Sequence, residues 1–141
     1  MSGLAGVELG PSAWLTMTQD RIDAFARSVD DERSIHVTPE LAAAGPYGVA
    51  VAHGFLTVSL AVRFWDELTR ERGWGTPVNY GVDRVRLPAA VPVGARIRGR
   101  FRIASDDPVA DGRHVVVAAT VELEGSPRPA CVASLIFRLV P

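Results

Sequence analysis

The stretch that most limits what this chain can become is "GFLTVSLAVRFWDELTR", residues 54 to 70. Phe55, Leu56, Val58, Leu60, Ala61, Val62, Phe64 and Trp65 put apolar side chains on nearly every face of its first part. A helix of that kind has no face to offer water and must be surrounded by other structure. At the usual rise per residue it is about 25 Å long, enough to cross a domain of this size.

The cover reads as strands. "NYGVDRVRL", "ARIRGRFRIAS", "HVVVAATVELE" and "PACVASLIFRLV" are parted by the turn-forming stretches "PVG", "SDDPVADG" and "EGSPRP". In the second, Arg96, Arg98, Arg100 and Arg102 alternate with Ile97, Phe101 and Ile103, so one face is wet and the other buried, as in an antiparallel sheet. A further strand is expected around "VELGPSAWLTM". Two smaller helices come before the long one. "TMTQDRIDAFARSVDD" has Thr18 as N-cap, Asp20 in the first turn, and Ile22, Phe25 and Ala26 on one face. "VTPELAAAG" has Thr38 as cap, Pro39 in the first helical position and Gly45 as stop. One buried helix followed by antiparallel strands is an α+β layout with the sheet curled around the helix. At 141 residues, the chain is read as one domain, 1–141, able to bury a core without staples.

Charge and composition exclude several classes. A formal net charge of −1 gives no general attraction to nucleic acid or to anionic membranes. A single cysteine, Cys131, rules out an internal disulfide; its apolar setting "ACVASLIF" suits a buried, inert thiol. The first ten residues lack the basic start and apolar run of a secretion signal. The weakly polar region 45–62 is broken by Pro46, Gly48, His53 and Gly54, so no membrane span is expected and the default location is cytoplasmic. His36, His53 and His114 have no ligand-like spacing and no cysteine partners, so no metal is expected.

Ahead of the long helix lies "SVDDERSIHVTPELAAAGPYGVAVAHGF". Taken alone, Asp30, Asp31 and Glu32 would be a solvated turn, and His36, between Ile35 and Val37, a structural histidine. The wider order "F-A-x-x-x-x-D-x-x-x-I-H-V … A-A-G-P-Y-G-x-x-x-A-H-G-F-L-T-x-S-L" resembles the MaoC-like (R)-specific enoyl-CoA hydratases and dehydratases. Within them it is similar to the subgroup related to nodulation protein N. That family carries Gly-Asp-x-Asn-Pro-x-His followed by Ala-His-Gly. Asp31 and His36 take its aspartate and histidine positions, and Ala52, His53 and Gly54 its later element. The match runs from about Phe25 to Leu60, with a weaker echo to about Arg98. Asp30, Arg33 and Ser34 stand where the family has glycine, asparagine (often glutamine in the nearest subgroup) and proline.

The resemblance implies a hot-dog fold, a homodimer with its sites at the subunit interface, and no cofactor. The implied reaction is reversible syn hydration of a trans-2-enoyl thioester of coenzyme A or an acyl carrier protein, giving the (R)-3-hydroxyacyl thioester. Asp31 and His36 would be the acid–base pair, brought together by a loop since their five-residue spacing suits neither a helix face nor a strand face. The Gly54 N–H, unpaired at a helix start, would sit in an oxyanion hole. Arg33, Tyr47, His53 and Phe55 are further candidates for the site lining. Arg33 can sit beside the pair or pair outward with Asp30 or Glu32; His53 has a structural and a catalytic reading. Two other functions stay open. One is a dehydratase or oxa-Michael cyclase acting on a carrier-bound polyketide. The other is a catalytically degenerate binding or scaffold subunit, suggested by the altered residues 30, 33 and 34. The arginine row has two readings as well: the wet face of a strand, or a contact for coenzyme A phosphates or an acidic carrier.

Overall fold

The computed structural model describes residues 3–141. Helix α1 (Gln19–Val29) starts as its sequence predicts: Thr18 is extended and its hydroxyl accepts the Arg21 N–H at 3.2 Å. Ile22 and Ala26 are its buried residues. It ends at Asp30, whose left-handed backbone (φ 56°, ψ 34°) turns the chain sharply. The Asp31 N–H still reaches back to the Ala26 carbonyl, 3.0 Å, so the next acid is tied to the helix end. A one-turn helix α2 (Ser34–Val37) and α3 (Pro39–Ala43) follow. Pro39 does open α3, but the Thr38 side chain makes no capping bond, and the helix ends at Ala44 rather than through a left-handed Gly45.

The long helix α4 (Gly54–Thr69) packs on an antiparallel sheet. The sheet contains β1 (Glu8–Leu9), β2 (Leu15–Thr16), β3 (Thr76–Arg86), β4 (Arg96–Val109), β5 (Gly112–Leu123) and β6 (Cys131–Val140). Its order is β1-β4-β5-β6-β3, with β2 also on β4. Leu56, Leu60, Ala61, Phe64 and Trp65 of the helix meet Ile97, Phe101, Ile103, Val115, Val117, Val121, Leu135 and Phe137 of the sheet in one core. Trp65 stacks on Phe137 at 5.2 Å between ring centroids and meets Phe101 edge-on at 5.6 Å. Burying each such side chain contributes about 1.5–3 kcal/mol. Gly99 is what lets the helix down onto β4: a Cβ there would lie 2.7 Å from Phe64 Cβ and 2.9 Å from the Phe101 ring.

Three further expectations change. The early strand is two short pieces, β1 and β2, each pairing with β4. "SDDPVADG" is mostly strand: β4 and β5 stay paired as far as Val109 opposite Gly112, leaving only Ala110 and Asp111 as the turn. The buried Asp106 carboxylate is satisfied there by Arg113 and by the Leu4 N–H, which removes the cost of a charge in the strand.

The third change concerns α4, which is not enclosed on all sides within one chain. Phe55 is 73 % exposed, and the same flank continues along Ser59 and Arg63. The neighbouring edge strand β3 is likewise open, with Val78, Tyr80 and Val82 exposed. Among the described residues no helix is long and apolar enough to cross a membrane.

Replacing Gly99 with valine forces apart the helix and strand that enclose the core. The expected loss is about 1–3 kcal/mol, from the cost of overpacking. It would be read as a lower urea midpoint at unchanged m-value; an unchanged midpoint would contradict this close approach.

Candidate active site

Three backbone segments meet at the start of α4. The turn after α1 brings Asp31, α2 brings His36, and the residues before α4 bring Val51, His53 and Gly54. His36 is therefore on a short helix rather than in the expected loop, and folding does bring it to Asp31. One donor atom from each of Asp31, His36 and His53 lies within 4.8 Å of the other two.

Both imidazoles are held by backbone carbonyls. His36 Nδ1 lies 2.7 Å from the Val51 oxygen, so that nitrogen carries the proton and donates it, leaving Nε2 with its lone pair. Val51 is itself fixed: its N–H donates to the Ile35 carbonyl and it bridges to Pro92. The Gln19 amide donates to the His36 carbonyl at 2.8 Å and anchors the other side of α2. His53 Nε2 donates to the Asp31 carbonyl oxygen at 2.8 Å. Its ring stacks on His36 with 3.9 Å between centroids and a 24° tilt. His53 Nδ1 is buried and has no hydrogen-bond partner among the described residues.

Arg33 resolves its two alternatives in favour of the pair. Its Nε and Nη2 donate to the two Asp31 carboxylate oxygens at 2.7 and 2.6 Å, while its own side chain is 71 % exposed. The guanidinium, working against partial burial, holds the Asp31 carboxyl down at about 2. Burial pushes the His36 imidazole below its ordinary 6.5; the Val51 carbonyl opposes that shift and His53 adds to it. At neutral pH the site thus holds an anionic carboxylate beside a neutral imidazole.

The α4 start is open in the way an anion site requires. Leu56 and Thr57 N–H return to the His53 carbonyl, whereas the Gly54 and Phe55 N–H groups make no hydrogen bond among the described residues. A Cβ on residue 54 would lie 2.3 Å from Leu87 Cδ1, so glycine also makes room for the Leu87 side chain. Two clefts, of about 320 and 280 Å³, share Arg33, His36 and Gly54 in their linings. The larger adds Tyr47, Val51 and Leu87; the smaller adds Asp31, His53 and Phe55. All seven residues singled out in the sequence therefore line one cleft or both. Leu87, Gln19 and the Val51 carbonyl were missed. "RLPAAV" marks a loop leading back to the site, but no side-chain signal marks a carbonyl.

The arginine row lies elsewhere, and three of its four members are paired with carboxylates. Arg96 pairs with Glu124, and Arg98 and Arg100 share Glu122. Those three cations have cross-strand carboxylates, which favours the wet-face reading over a phosphate contact.

Residues 3–125 match the MaoC-like domain family. The chain is 42 % identical over 141 residues to 3-hydroxyacyl-thioester dehydratase Z of Mycobacterium tuberculosis, covering 99 % of this chain and 93 % of that protein. It is 41 % identical over 140 residues to nodulation protein N of Rhizobium meliloti, covering 96 % of this chain and 86 % of that one. The (R)-hydratase from A. caviae involved in PHA biosynthesis superposes with a TM-score of 0.78 at 16 % identity, covering 96 % of both chains, a likeness of fold. With the hot-dog layout, the Asp31–His36 pairing and this match over most of its length, the chain belongs to the MaoC-like dehydratase family.

Proposed function

We propose that this protein catalyses reversible syn addition of water to a trans-2-enoyl thioester, giving the (R)-3-hydroxyacyl thioester, with coenzyme A or a carrier protein as the thiol. The observation that carries this is the convergence of Asp31 and His36 beside two unpaired N–H groups at a helix start. The name of the Mycobacterium tuberculosis relative, a 3-hydroxyacyl-thioester dehydratase, points to the same chemistry.

The protonation states suggest a division of labour. A carboxylate whose pKa is about 2 is a weak base, while the bare Nε2 of a neutral imidazole is a stronger one. In hydration, His36 Nε2 takes a proton from water as its oxygen attacks the β-carbon. Asp31 accepts the water's other hydrogen and so orients it. The imidazolium then returns the proton to the α-carbon on the same face, which makes the addition syn. Negative charge developing on the thioester oxygen meets the Gly54 and Phe55 N–H groups, strengthened by the helix dipole. The two clefts on either side of Gly54 suit the acyl chain and the thiol arm. No metal or organic cofactor enters these steps.

The homodimer is part of the proposal. An eleven-residue edge strand, β3, with Val78, Tyr80 and Val82 exposed invites pairing, and a second copy laid along it would cover apolar surface that one chain leaves wet. The scaffold alternative loses ground because Arg33, the most conspicuous departure from the family pattern, grips Asp31 without displacing it from His36.

Three outcomes follow. With crotonyl-CoA, loss of the conjugated-thioester absorbance should fall by about 10²–10⁴ in Asp31→Asn and in His36→Ala; full activity in either variant defeats the assignment. The acid limb of log kcat/KM for hydration should lie below pH 6.5, where His36 gains its proton, because Asp31 stays ionised down to about pH 2. Arg33→Gln lets the Asp31 pKa rise toward an ordinary carboxyl value near about 4, still acid of that limb; a limb that moves with Arg33 would make Asp31 the titrating base. Val78→Lys with Val82→Lys should yield a monomer by size-exclusion chromatography, with hydration lost alongside.

A further inference from the structure

We infer that Asp31, His36 and His53 form a binding site for a borderline divalent cation of the zinc type, and that its occupation switches the enzyme off. Along the sequence these residues show no ligand spacing; the fold places one donor atom from each within 4.8 Å of the others. The second observation is His53 Nδ1, a nitrogen without a hydrogen-bond partner among the described residues, on a side chain that is 3 % exposed. A buried polar atom of this kind is costly unless something partners it.

The two imidazoles are already prepared as ligands. Each donates its protonated nitrogen to a backbone carbonyl, His36 to Val51 and His53 to Asp31, which leaves one bare nitrogen per ring. That is the outer-shell arrangement that orients histidines at metal centres. Two nitrogens and one carboxylate suit zinc rather than magnesium or calcium, which prefer all-oxygen shells.

Two features set the strength of binding. A tetrahedral shell needs donors about 3.3 Å apart, so the Asp31 carboxylate must shift and one ring of the stacked pair must turn. Arg33 is the other: its guanidinium sits on the carboxylate that the ion would use, so cation and guanidinium compete. Being largely exposed, Arg33 can swing out, and its charge keeps the affinity modest. An ion held this way takes the Asp31 carboxylate and His36 Nε2 away from water. The inhibitory part of the inference rests on the proposed hydration; the binding part does not.

The test separates the two. Zinc is titrated into the purified protein against a chromophoric zinc indicator, and cobalt(II) is followed by its visible d–d absorption. The expected result is one ion per chain with micromolar affinity, no competition from magnesium, and loss of the site in His53→Gln and His36→Gln, whose folding is checked by circular dichroism. Arg33→Gln should bind roughly tenfold more tightly, as removal of a nearby unit charge allows. In the unmodified protein, zinc should shift the ¹⁵N resonances of His36 Nε2 and His53 Nδ1, a readout independent of any variant's folding. Crotonyl-CoA hydration should fall in step with occupancy. Absence of micromolar binding, or binding that leaves those two nitrogens unmoved, overturns the site. Binding with undiminished hydration overturns the switch alone, and a protein that binds zinc at those nitrogens but never hydrates the thioester retains the site while losing the function proposed above.

Discussion

Everything in this molecule depends on seating one apolar helix. α4 cannot face water along Leu56, Leu60, Phe64 and Trp65, and the sheet exists to receive it. The seat is close because β4 has no side chain at Gly99, and the helix start lies close to the next loop because Gly54 has none beneath Leu87. Fixing the helix in this way also fixes its first two N–H groups, which end up unpaired next to the histidines. Burial of apolar surface, not polar attraction, thus positions these two N–H groups.

The polar end is arranged by backbone carbonyls. The Val51 and Asp31 carbonyls each accept a hydrogen bond from a ring nitrogen, and in doing so they decide which nitrogen of each neutral imidazole keeps a lone pair. Arg33 then adds a chain-specific feature. With a bidentate grip on Asp31 it holds the carboxylate anionic and leaves the stacked, partly desolvated His36 as the stronger base.

The uncovered surface carries a complementary message. Phe55 on α4 and Val78, Tyr80 and Val82 on the β3 edge are open to solvent in one chain, and the helix and the strand line a common groove through Val58, Val62, Tyr80 and Val82. The sequence of this helix calls for enclosure, and one chain encloses it on one side only. On the β4 face, by contrast, arginines pair with glutamates across strands.

Much was legible in the linear order of residues. Thr18 capping α1, the alternation of Arg96 to Ile103, and the crowding of apolar residues from Phe55 to Trp65 are local patterns, and local patterns survive folding. The proximity of Asp31 and His36 follows too, because the two lie five residues apart in one contiguous motif. What misled were features decided at a distance. "SDDPV" looks like a turn until Arg113 and the Leu4 N–H satisfy Asp106, and the side-chain cap expected of Thr38 does not form. The chain by itself determined the buried helix, the antiparallel strands and the two titratable groups, since these follow from side-chain period and identity. Only the tertiary structure decided which acid Arg33 would grip, which nitrogen of each histidine would stay bare and that His53 would lie on His36, because those outcomes depend on carbonyls and ring contacts brought together from separate segments.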